Sequence, residues 1–178
     1  MSIHRRMLTG LMAGGCLILT ACASAGAHLS TQTDASSIAC TPSDGQGRIA
    51  IAQVHIHADG SHPVLIREVR PKKADNVLIE SFGVIPEDED GFRGVLLPSD
   101  PDAQISTHHE VAAGEHATVQ LVVALVSPLK SGVIESVELE YDDLGRTGSE
   151  TVTAGLRAQV FPVGAAVPDD SKCEMPDE

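Results

Sequence analysis

The chain reads as all-β, and three observations carry that reading. Apolar and polar residues alternate at period two along several stretches, clusters rich in Gly, Asp and Ser separate those stretches, and no long amphipathic helix intervenes. Val137, Leu139 and Tyr141 alternate with Ser136, Glu138 and Glu140, which puts an apolar row on one face of a strand and carboxylates on the other. Val152, Ala154, Leu156, Ala158 and Val160 repeat the device, with Thr151, Thr153, Arg157 and Gln159 facing outward. Ala117 to Val126 is more uniformly apolar and reads as a central strand. Arg48 to His57, Val64 to Arg70, Val77 to Ile85 and Gly94 to Leu97 bring the set to about seven strands. Turn chemistry comes from Ala58-Asp59-Gly60-Ser61, Asp88-Glu89-Asp90-Gly91, Ala113-Gly114-Glu115 and Asp143-Leu144-Gly145.

Short strands at regular spacing across residues 48–163 favour an immunoglobulin-like antiparallel β-sandwich over a barrel. The Trp and inter-sheet disulfide of antibody domains are absent from the pattern. At 178 residues the chain holds one such domain, and its 42% hydrophobic content supplies a core. With 12 Lys and Arg against 25 Asp and Glu, the chain is strongly acidic and would repel a polyphosphate, so no nucleic-acid partner is expected. One Tyr, three Phe and no Trp also leave no stacking platform for bases or sugars.

The first 21 residues are organised differently. His4, Arg5 and Arg6 make a positive start, and the apolar run Met7 to Ala21 follows. That run falls short of the roughly 20 residues needed to span a bilayer and fits a signal peptide. Leu19-Thr20-Ala21-Cys22 resembles the lipobox of bacterial lipoproteins. The resemblance implies a diacylglyceryl group on the Cys22 thiol, cleavage between Ala21 and Cys22, and a new amine open to acylation. Two or three acyl chains, at about 0.8 kcal/mol per buried CH₂, would then hold the domain at the extracytoplasmic face of the cell membrane. Conventional secretion, with cleavage after Ala23, is the alternative. Residues 22–47 are read as the lipidated cysteine and a flexible tether, since Ala23 to Ala39 is small, polar and aperiodic. As a coil this stretch would hold the domain on the order of 20 Å from the bilayer.

Cys40 and Cys173 lie just before and just after the patterned region and are expected to pair, because an exported chain seldom leaves thiols free. Two free thiols are the alternative, and neither cysteine belongs to a C-x-x-C metal pair. The tail 164–178 is acidic and adds no core. The run 113–115, the strand 117–126, Val137 to Tyr141 and Asp143 to Arg146 resemble small Ig-like ectodomains of uncharacterised envelope lipoproteins from high-GC Gram-positive bacteria. That likeness covers roughly the last third of the chain and implies no catalytic residue.

Histidine is the one constellation that suggests chemistry. His55 and His57 leave the same strand face about 7 Å apart, while His62, His108, His109 and His116 occupy later turns and loops. Were those loops to converge on the strand, three or more nitrogens could bind copper, zinc or nickel. The bland reading is a polar row in solvent. The H-E-x-x-H motif fails at Ala113, no G-x-S-x-G elbow occurs, and no phosphate loop matches, so neither an enzyme nor a cofactor is expected. Glu87 to Asp90 lack the alternation of a calcium loop and read as a solvated hairpin tip. The sequence thus leads to a lipid-anchored, non-enzymatic binding or structural module that contacts another envelope protein or polymer through a sandwich face or its loops. The alternative is a lipoprotein that binds or delivers copper or zinc through His55 and His57.

Overall fold

A computed structural model describes residues 28–32, 38–168 and 173. Ten strands follow in order: β1 (Leu29–Thr31), β2 (Ala39–Pro42), β3 (Arg48–Ala58), β4 (Val64–Asp75), β5 (Val77–Pro86), β6 (Gly94–Leu96), β7 (Glu110–Val111), β8 (His116–Leu125), β9 (Gly132–Asp143) and β10 (Ser149–Phe161). One sheet runs β1-β3-β8-β5, with β6 also paired to β3, and the other runs β2-β10-β9-β4-β7. No helix among the described residues is long and apolar enough to cross a membrane.

The alternation seen in the sequence sets the core. Val137, Leu139 and Tyr141 of β9 and Ala154, Leu156, Ala158 and Val160 of β10 face Ile49, Ile51, Val54 and Ile56 of β3 and Val119, Leu121 and Val123 of β8 in one buried cluster. Each such aliphatic side chain contributes about 1.5–3 kcal/mol when fully buried. Where the alternation breaks, the ladder bulges. In β3 the inward residues change parity between Ile51 and Val54, and the register against β8 shifts between Ala52 and Val54. A one-residue slip turns every later side chain over. Without that bulge His55 and His57 would point into the core; with it they face outward.

The seams between the sheets are stitched by short segments. Thr31 Oγ1 of β1 donates to the Thr153 carbonyl at 2.8 Å, and the Gly155 N–H donates to the Gln32 carbonyl at 2.9 Å, so β1 belongs to one sheet and fastens to the other. Across the opposite seam, Val84 N–H donates to the His108 carbonyl and Ile66 N–H to the His109 carbonyl, each at 2.8 Å. Asn76 makes the turn from β4 to β5 with φ at 53°, a left-handed conformation that Asn tolerates. Its amide nitrogen donates to the carbonyls of Ser127, Lys130 and Ser131 and thereby shapes the β8–β9 loop.

Several expectations change. The described residues form ten strands rather than about seven, and β2 pairs with β10 in parallel, so the sandwich-like arrangement is neither purely antiparallel nor specifically immunoglobulin-like. Residues 29–31 and 39–42, inside the span expected as tether, are strands. Their partners are edge backbones, which accept a short strand of any composition, so no periodicity announced them. Glu87 to Asp90 do not cap a hairpin, because β5 pairs with β8 while β6 pairs with β3. β4 runs on past Pro71, whose missing N–H falls on an open edge beyond β7 and costs no ladder bond. Cys40 and Cys173 form a disulfide, with Cα atoms 5.8 Å apart across 133 residues of sequence, and it ties the chain end to β2.

Candidate functional site

The outer face of the β1-β3-β8-β5 sheet carries a histidine cluster and two grooves. At one end stand the histidines that the β3 bulge turned outward. His57 lies opposite His116 of β8, and their rings stack with centroids 4.0 Å apart and planes 9° from parallel. His57 Nδ1 also pairs with the Asp59 carboxylate. The Ser30 hydroxyl, and then the charge of His57, hold Asp59 below the usual carboxylate range. His55 takes a different partner, the Thr118 hydroxyl at 3.3 Å. A groove of about 300 Å³ beside them is lined by Gln32, His55, Glu87, Arg93, His116 and Thr118.

Of the two histidines in the alternative metal reading, His57 is set against His116 and His55 against Thr118. Imidazole lone pairs lie in the ring plane, so stacked rings direct them side by side rather than toward one point. Among the described residues, no three His, Cys, Asp or Glu side chains are grouped to hold an ion. The later histidines scatter. His62 sits 3.4 Å from the buried Asp143 carboxylate at the edge of the other sheet, over Gly145, where a Cβ would collide with its ring. His109 stacks on Phe82 at 4.5 Å, and only His116 comes to β3. His55 with Thr118 resembles a base with a hydroxyl, yet Thr118 is buried. Among the described residues, no carboxylate bonds His55 to orient it.

Further along the same face, two arms of the chain cross over the sheet. The first, 87–93, leaves β5 and reaches β6 at the far edge; the second, 97–106, returns over β3 and β8 to β5. The return is possible because Gly83 has no side chain: a Cβ there would stand 1.9 Å from the Ser106 carbonyl oxygen. Ser106 N–H donates to Gln120 Oε1 at 2.8 Å, while the Gln120 amide nitrogen, fully buried, has no partner among the described residues. Small outward residues on β3, Ala50 and Ala52, leave room beneath the arms. Between them lies a groove of about 770 Å³. Ile85, Phe92, Leu96 and Ile105 supply apolar surface, and Glu89, Asp90 and Asp102 stand around it. None of these three carboxylates has an ion-pair partner among the described residues, and Arg93, the one cation there, donates to the carbonyls of Pro86 and Glu87.

Sequence reasoning missed this groove. Its one local sign was Gly83 inside an apolar strand, since an isolated strand glycine marks close approach of another backbone. Cys22 lies outside the described residues.

No protein-family model matches the chain, and no curated protein matches it. A solved structure with a similar arrangement is the Vibrio cholerae VesB protease, at 15% identity and a TM-score of 0.36. The likeness covers 75% of this chain and 31% of that one, and at that score it carries no argument about activity.

Proposed function

We propose that the chain is a lipid-anchored domain at the extracytoplasmic face of the cell membrane, acting as a non-enzymatic module that binds an envelope partner. The observation that carries this reading is the Cys40–Cys173 disulfide, which closes the chain from β2 to its end and belongs to an oxidising compartment. The lipobox-like Leu19-Thr20-Ala21-Cys22 supports attachment through Cys22. The site geometry supports binding over catalysis: a groove with an apolar lining and charged rim is present, and no nucleophile, base and orienting acid stand together among the described residues.

Intact mass of the chain purified from membranes tests the reading. The expected result is a first residue of Cys22 carrying acyl mass, and the Cys22→Ser variant should move to the soluble fraction. An unmodified terminus together with unchanged membrane attachment of that variant would defeat it.

A further inference from the structure

The reading above leaves the partner without chemistry, and the groove between the 87–93 and 97–106 arms supplies it. Leu96 on β6 and Ile85 on β5 mark its ends, with β3 and β8 between them. Leu96 stands level with Ala50 and Val122, and Ile85 level with Thr118; three strand spacings across and four residues along make that span about 19 Å, the length of roughly six residues of extended chain. Its apolar lining is Ile85, Phe92, Leu96 and Ile105, and its volume of about 770 Å³ falls within the range of built ligand sites. Glu89, Asp90 and Asp102 along the walls meet no cation of this chain among the described residues. Arg93 is turned back onto the carbonyls of Pro86 and Glu87 and does not neutralise them.

A neutral sugar would find one aromatic ring, Phe92, and an anionic polymer would meet like charge. An extended segment with alternating side chains satisfies both the apolar lining and the acidic walls. We propose that this groove binds an extended peptide segment of a partner protein in which an apolar side chain is flanked by lysine or arginine. The proposal deepens the reading of the domain as a binding module and does not depend on the lipid anchor. A domain that proves to be unlipidated leaves its test intact.

The test uses the chain as the cell processes it and a fluorescein-labelled hexapeptide of alternating lysine and leucine, followed by fluorescence anisotropy. The comparison probe has glutamate in place of lysine. Two double variants make the same change of charge: Asp90→Lys with Asp102→Lys in the groove, and Glu80→Lys with Glu110→Lys on exposed positions outside it. Circular dichroism melts confirm that each variant is folded. The expected result is saturable binding of the lysine peptide, weakened at least tenfold by the groove pair and less than twofold by the outside pair. Raising salt should also weaken it. Phe92→Ala should weaken it several-fold without changing its salt dependence. Equal losses from both charge-changed pairs, equal binding of the glutamate peptide, or no binding of the lysine peptide would overturn the proposal. So would a concentration-dependent dimer that the groove pair abolishes, which would give the groove to a second copy of the chain.

Discussion

On the outer face of the β2-β10-β9-β4-β7 sheet, the four cations of β4 meet acids of β9 across the ladder: Arg67 with Asp142, Arg70 with Glu140, Lys72 with Glu138 and Lys73 with Glu135. On the outer face of the β1-β3-β8-β5 sheet, two arms of chain lie over small and polar side chains, and the acids of those arms face one cation, Arg93. The first face is satisfied by its own charges and by solvent. The second is covered, yet it keeps open apolar surface and carboxylates with no ion-pair partner among the described residues. A face whose charges are already matched offers little to a partner, whereas an unmatched one does, which is why the binding reading belongs to the second.

The largest way to disturb this contrast is to release the fastening on the ion-paired side. Cys40→Ser with Cys173→Ser removes a cross-link between residues 133 apart, worth about 5 kcal/mol in the chain-entropy model. A urea titration should show that order of loss, and hydrogen exchange should rise first in β2. An unchanged midpoint would mean the cross-link contributes nothing there.

A smaller effect attacks the covered side. Gly83→Val drives a side chain into the Ser106 carbonyl and should cost roughly 2–4 kcal/mol. Exchange protection should fall across 97–109 while β4 and β9 stay protected. If the loss spreads evenly over both sheets, the cover is not a separable layer.

The smallest effect sharpens the ion-paired side. A double-mutant cycle on Lys73 and Glu135, 2.8 Å apart and half exposed, should return at most about 1 kcal/mol and fade in salt. A separate acid dependence comes from the Arg67–Asp142 pair, where the Ser149 hydroxyl, and then Arg67, hold the Asp142 carboxyl below the usual range. Because the folded value lies below the unfolded one, the pair stabilises the fold at neutral pH. That contribution disappears as pH falls from about 4 through the folded value. Asp142→Asn should therefore flatten the stability curve below pH 4 and leave it parallel to the parent above pH 5.

Much of the fold was legible because period-two alternation is a local property: β9, β10 and the central β8 emerged from their own residues. Of the ion-paired face, only the outward Glu138 and Glu140 were legible; the pairing of β4 with β9 is what sets the cations of 67–73 opposite them. β1, β2 and β7 were not legible, since a short strand on an edge is held by its partner's backbone and leaves no pattern of its own.

The amino-acid order alone determined the all-β class, the core rows, the acidic balance and the candidate disulfide, because these rest on side-chain type and near spacing. Only the tertiary structure decided what lies beside what. The bulge at 52–54 turned His55 and His57 outward, cross-strand stacking used His57 and His116 on each other, and Gly83 let a distant segment cross the sheet and wall a groove. Each of these depends on contacts between residues far apart in sequence, and the local pattern holds at most a sign that something approaches, as at Gly83, without saying what.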